Sequence, residues 1–93
     1  MFDVEKFKND FPSKTKRAMI DYVMENKDFY FEDVTNFGLR YRVETKGFMN
    51  AEIKKKIRKG TKYFRYIGFI IQKKDGKWRK NPKFIPLNQI KKP

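Results

Sequence analysis

Residues 49–67 read MNAEIKKKIRKGTKYFRYI, the one stretch in which helical periodicity and concentrated positive charge coincide. Met49, Ile53, Ile57, Gly60, Phe64 and Ile67 recur at steps of three and four, the spacing of one buried stripe on an α-helix. At 100° per residue the opposite face carries Ala51, Lys55, Arg58, Lys62 and Arg65, flanked by Lys54 and Lys59. The cations form a row about 15 Å long, which matches a phosphate backbone in sign and scale. Asn50 and the small Ala51 stand at the N-terminal end of the row, where a helix lying in a major groove comes closest to base edges. The bland alternative is a solvated, lysine-rich amphipathic helix, and the distribution of charge along the chain decides against it.

The net charge is +13, and all of the excess lies in one half of the chain. Residues 1–48 hold nine Lys or Arg and nine Asp or Glu, whereas residues 49–93 hold fifteen cations against Glu52 and Asp75 alone. That asymmetry predicts one surface at positive potential, for which nucleic acid is the usual reason and an anionic membrane surface the main rival. Ninety-three residues make one domain that buries roughly 60 to 65% of its unfolded surface. Ten Phe, five Tyr and one Trp supply large apolar areas from few positions.

The absence of Cys and His removes disulfides, thiolate metal sites and the commonest general base. No cofactor or metal is expected, and no enzymatic activity. Carboxylates close in sequence, such as Asp21 with Glu25, have no phosphate-gripping glycine loop beside them. With no hydrophobic leader and no long apolar run, the expected setting is the cytoplasm, in association with nucleic acid and without a membrane.

Outward from the central stretch, Gly47 and Asn50 are the expected C-cap and N-cap that separate it from a preceding helix. That preceding segment has two readings. Val34, Phe37 and Tyr41 fit a helix over about 32–45, which is preferred, while Leu39, Tyr41 and Val43 alternate with charges as in a strand after Gly38. Further back, Phe29, Tyr30 and Phe31 suit a brief strand, and Ser13 caps a helix running to about Asn26. Lys14, Lys16 and Arg17 crowd the first turn of that helix and are candidates for phosphate contact. Residues 1–10 form a short helix docked by its phenylalanines, and Pro12 ends it.

Gly60 interrupts the long helix on its buried stripe, so close packing against an aromatic side chain is expected there. Downstream, Asp75-Gly76 signals a two-residue hairpin with positive φ at both positions, pairing about 69–74 with 77–81. Its cations, Lys73, Lys74, Lys77, Arg79 and Lys80, have no evident apolar covering. Trp78 reads as a strand-face plug or as a base-stacking surface. Phe84, Ile85 and Leu87 return to the core, and residues 88–93 form a fraying basic tail.

The order helix, short strand, helix, turn, basic helix and basic hairpin resembles a winged helix-turn-helix domain across residues 13–87. FYFEDV leads into the second helix of the motif, GFMNAEIKKKIRK supplies turn and recognition helix, and YIGFIIQKKDGKWR supplies the exit into the wing. The resemblance implies an α+β fold of three or four helices with a small antiparallel β-hairpin. It also implies that Asn50, Ala51, Lys54, Lys55 and Arg58 enter the major groove, while Lys73, Lys74, Lys77 and Arg79 grip adjacent backbone. Lys59, Lys62, Arg65 and Lys80 complete the basic set. Arg58 suits guanine and Asn50 adenine, and the lysines suit phosphate. The expected function is double-stranded DNA binding, as by a transcriptional regulator. The alternatives are a replication-associated module that stacks single-stranded DNA or RNA on Tyr63, Tyr66 or Trp78, and a protein-interaction subunit of a larger assembly. A homodimer paired through the N-terminal phenylalanines and the helix from Ser13 is a further expectation.

Overall fold

The computed structural model describes residues 2–90. Four helices, α1 (Val4–Lys8), α2 (Lys14–Glu25), α3 (Phe31–Lys46) and α4 (Ala51–Tyr66), precede an antiparallel hairpin of β1 (Ile70–Gln72) and β2 (Trp78–Lys80). A 3-10 turn at Leu87–Gln89 follows. The architecture is therefore the α+β arrangement of helices and hairpin that the sequence predicts.

The helix boundaries are set by local chemistry. Asp3, Ser13 and Asn50 each accept a backbone N–H in the first turn of α1, α2 and α4, from Lys6, Lys16 and Ile53. Gly47 ends α3 at φ +79°, a left-handed conformation that glycine adopts without the Cβ clash. The segment 39–43 is helical: Thr35, Gly38 and Arg42 follow one face of α3, and Val43, which a strand would bury, is exposed. The first helix is shorter than residues 1–10, and Met1 lies outside the described residues. Of Phe29–Phe31 only Phe29 pairs as a strand, with Trp78, because Phe31 already begins α3.

Helix α2 packs on α3, which packs on α4. The closest approach is at Gly38, where an added Cβ would lie 2.6 Å from Met19 Sδ on α2 and 2.9 Å from Ile57 Cγ2 on α4. Gly60 plays a lesser part than expected. Its neighbours are Met19 Cε and Lys16 Cε, both at 3.5 Å, not an aromatic ring, and α4 runs through it unbroken. Beside this crossing Thr35 and Thr61, both buried, share a hydrogen bond of 2.6 Å between their hydroxyls.

The other end of the core is aromatic. Phe7, Phe11, Phe64, Phe69 and Phe84 are buried and meet edge-on or tilted at centroid distances of 4.9 to 5.9 Å. Phe7 and Phe11 of the N-terminal segment are thus spent inside the chain, while Phe2 is half-buried. Ile85 and Leu87, expected in the core, are 59% and 89% exposed; only Phe84 and Pro86 turn inward. The start of the supposed tail is held rather than frayed. Gln89 exchanges two hydrogen bonds with the backbone of Asp3, and Asn88 donates to the Asp10 carboxylate; residues 91–93 lie outside the described residues.

Two predictions follow from the crossing. Gly38→Ala destabilises the fold by about 1–3 kcal/mol in urea unfolding, because Met19 is fully buried and has nowhere to move. Gly60→Ala, which meets only ordinary contacts, stabilises by up to about 1 kcal/mol through helix propensity. The hydroxyl pair gives the second test. Thr35→Val and Thr61→Val each cost about 1–2 kcal/mol, and the double variant costs less than their sum, since the second change removes an already orphaned group.

Candidate nucleic-acid interface

Helix α4 buries Ile57, Gly60, Thr61 and Phe64 and leaves Lys54, Lys55, Lys56, Arg58, Lys59, Lys62 and Arg65 exposed. Among the described residues none of these cations lies within 4.0 Å of a carboxylate; the ion pairs there belong to Lys8 and Lys73. At about 100° per residue, Lys54, Arg65, Arg58, Ala51, Lys62 and Lys55 share one arc of the surface, while Lys59 and Lys56 lie round the far flank with Glu52 and Tyr63. The predicted row is therefore exposed and uncompensated, as its periodicity implied.

At the C-terminal end of α4 the Arg65 guanidinium stands 5.2 Å over the Phe31 ring, whose centroid is 5.1 Å from that of Trp78 on β2. This stack links the row on α4 to the hairpin. An isolated antiparallel bridge joins Phe29 to Trp78 on one side of β2, and β1 pairs on its other side, Ile70 with Lys80, Ile71 with Arg79 and Gln72 with Trp78. Side chains alternate across a strand, so Phe29, Trp78, Lys80 and Ile70 share the inward face, and Tyr30, Lys77, Arg79 and Ile71 the outward one. Lys77 Nζ sits 5.7 Å from the ring of Tyr30, which is 60% exposed.

The hairpin loop differs from the two-residue turn expected. Lys73 and Lys77 are joined by an N–H of Lys73 donating to the Lys77 carbonyl at 2.7 Å, which leaves Lys74, Asp75 and Gly76 as a three-residue loop. Gly76 alone has positive φ, at +89°, and its N–H closes the turn on the Lys73 carbonyl. This is the three-residue hairpin geometry in which a glycine follows an ordinary turn. Asp75 accepts the Lys77 N–H at 2.9 Å, and that hydrogen bond is the first cause holding its carboxyl below the usual carboxylate range, with Lys73 reinforcing it.

The hairpin cations are consequently unequal. Lys73 is ion-paired with Asp28 at 2.7 Å and Asp75 at 3.5 Å, and the hydrogen bond to Asp28 foremost raises its pKa. Lys80 turns inward, 4.4 Å from the Phe2 ring centroid, where burial lowers its pKa. Neither fits the expectation of an uncovered phosphate contact. Lys74 and Arg79 remain exposed, and Lys77 is shared with Tyr30. Asn50 is engaged as well: its Oδ1 accepts from Ile53 N at 2.9 Å, which leaves one oxygen lone pair and both Nδ2 hydrogens for a further partner. Arg17 is held at one point, its Nε donating to the Phe11 carbonyl at 2.6 Å, with its other guanidinium donors left over.

One residue outside the predicted set matters. Arg42 of α3 has an Nη1 buried from solvent with no acceptor among the described residues, and its guanidinium lies 5.0 Å over the Phe48 ring. The signal was present in the sequence as an arginine four residues after Gly38 and seven after Thr35, on what proves to be the inward side of α3.

No helix among the described residues is long and apolar enough to cross a membrane. Comparison of the chain with protein-family models, with curated proteins and with solved structures gave no match in any of the three.

Proposed function

We propose that this chain binds double-stranded DNA in the manner of a winged helix-turn-helix domain, with α4 in the major groove and the hairpin against the adjacent backbone. The observation that carries the reading is the row of exposed cations on α4 with no carboxylate partner, continued toward the hairpin by the stack of Arg65, Phe31 and Trp78. A helix of this width fits the major groove, and its N-terminal half faces base edges when it lies there.

Within that mode the roles divide by chemistry. Arg58 is the base reader, since a guanidinium can bond guanine O6 and N7 together, and the small Ala51 permits close approach beside it. Lys54, Lys55, Lys59 and Lys62 position the helix on phosphates, and Lys74 and Arg79 do the same for the hairpin. Asn50 holds the first turn of α4 through Oδ1 and keeps its Nδ2 donors and a second oxygen lone pair for adenine. Occupying a site requires no catalytic group, which suits a transcriptional regulator. A second reading has one observation in its favour: Tyr66 is 85% exposed and could stack an unpaired base. Trp78 favours it less, being packed between Phe31 and the core.

Fluorescence anisotropy with duplex and single-stranded oligonucleotides over a salt series tests the reading. We expect preference for duplex, with log K falling against log salt at a slope of about −5 if about six phosphates are neutralised. The double variant Lys55→Glu, Arg58→Glu should lose about a hundredfold or more in affinity with a circular dichroism melt no lower than that of the wild type, because both side chains are exposed and unpartnered and lie i, i+4 from Lys59 and Lys62. Wild-type affinity in that variant, or tighter binding of single strands that depends on Tyr66, would remove the groove assignment.

A further inference from the structure

We propose that the cleft between the first turn of α2, the C-terminal half of α3 and the first half of α4 is a phosphate-binding site, with Arg42 as its central donor. The cleft has a volume of about 370 Å³; Ile53 and Ile57 of α4 form its apolar floor, and Ser13, Thr15 and Lys16 of the α2 end, Arg42 of α3, and Lys56 and Lys59 of α4 supply the rest of its lining, with no carboxylate among them. Its size falls within the range of ligand clefts, roughly 300–1,000 Å³.

Three features distinguish it from an ordinary basic surface. The first is the orphaned Arg42 Nη1, a charged donor shut off from water with no protein acceptor among the described residues. A guanidinium stays protonated at any physiological pH, so the group cannot relieve its burial by losing charge, and an anion in the cleft, onto which the fork would turn Nη1, would supply the missing acceptor. The second is how Arg42 is held. Its guanidinium stacks over Phe48 at 5.0 Å, which orients the fork rather than leaving it to sweep the surface. The third is Lys16, whose stem passes Gly60 so that its Cε would lie 3.5 Å from a Cβ added there, and it lines the same cleft as Lys56 and Lys59 of α4.

The chemistry selects the ligand. Cations contributed by three separate helices surround the space, and a planar carboxylate can meet only one fork, whereas a tetrahedral phosphate presents acceptors in several directions and up to two negative charges. The hydroxyls of Ser13 and Thr15 line the same cleft. Ser13 Oγ already accepts the Lys16 N–H, which leaves its hydroxyl proton free to donate.

The phosphate could come from a DNA backbone or from a small phosphorylated molecule. Lys56 and Lys59 lie on the flank of α4 away from Arg65 and the hairpin, so a backbone phosphate seated here would belong to the strand opposite the one the hairpin meets. The site itself stands on the orphaned guanidinium and its neighbours and does not require the DNA reading.

Inorganic phosphate is the probe, followed by heteronuclear NMR of the full chain. Saturable shifts are expected for the Arg42 side-chain N–H and for Lys16, Lys56 and Lys59. Arg42→Gln should weaken that saturation at least tenfold. Lys56→Gln with Lys59→Gln, at exposed positions that do not test folding, should weaken it several-fold, and Lys55→Glu with Arg58→Glu should leave it in place. Duplex binding by Arg42→Gln then identifies the source. An affinity loss of about tenfold with a salt slope shallower by about 1 assigns the site to the DNA backbone, and unchanged duplex binding assigns it to a free phosphate compound. Shifts that grow linearly without saturation, or that are the same in Arg42→Gln and in the lysine variant, overturn the proposal whatever the DNA result.

Discussion

The position of α4 depends on a missing side chain on another helix. Because Gly38 has no Cβ, the Met19 sulfur and the Ile57 methyl can occupy the space within 3 Å of where one would be, and α2, α3 and α4 meet around a single point. Everything about the surface of α4 is set by that contact. If Ile57 faces α3, the row from Lys54 to Arg65 must face outward, since about 100° per residue leaves it no other direction. The helix also needs the anchorage. Its cations follow one another at three- and four-residue spacing, as in Lys55 with Lys59 and Arg58 with Lys62, and like pairs at i, i+4 destabilise an isolated helix by about 0.2–0.5 kcal/mol each. Burial of Ile57, Thr61 and Phe64 offsets that repulsion, so tertiary packing holds in place a helix that its own surface opposes.

A chain of this size has little core to spare, and the aromatic cluster shows how it manages. Phe7 and Phe11 come from the N-terminal segment, Phe64 and Phe69 from the junction of α4 with β1, and Phe84 from the segment after the hairpin. Large rings bring distant parts of the chain into one contact, each burying more apolar area than an aliphatic residue would. The amide of Gln89 then ties the C-terminal turn to Asp3, so both ends of the described chain close over the same cluster. The hairpin is mounted on this cluster through Phe69 and on α3 through the contact of Phe31 with Trp78, which fixes its direction relative to α4.

Local features of this fold were legible in the sequence where one residue type answers one local demand. Ser13, Gly47 and Asn50 bound their helices as read, and the 3.6-residue stripe of residues 49–67 located the inward face of α4 correctly. The helix over 39–43 was ambiguous because Leu39, Tyr41 and Val43 alternate, and only the burial of Thr35 and Gly38 on one face resolves it. What stayed hidden was long-range. Nothing near Lys73 in the sequence announces Asp28, and nothing near Lys80 announces Phe2, yet those contacts separate the engaged hairpin cations from the exposed ones. Hydropathy misled at Ile85 and Leu87, which face outward on either side of the buried Pro86. Asp-Gly pointed to the right place for the hairpin but to the wrong loop, since Asp75 does not adopt positive φ and the turn closes one residue earlier.

The separation of charge along the chain has a structural cause that the totals do not show. Six of the nine acids of the first half are engaged away from α4: Asp3 caps α1, Asp33 accepts from Tyr30 N, Glu5 and Asp21 pair with Lys8, Asp28 pairs with Lys73, and Asp10 receives Asn88. None of them is placed to neutralise α4. A fold under selection only for stability would let some of these carboxylates reach the densest row of cations, since uncompensated positive charge works against a compact state. Here the acids instead secure caps and crossings around a helix that is left uncompensated over most of its length. Exposed lysines in salt water exert little force beyond about 8 to 10 Å, so the row matters chiefly to a partner that comes into contact with it. Under the proposed reading, that partner is a phosphate backbone, whose negative charges come at close, regular spacing along the length of the helix.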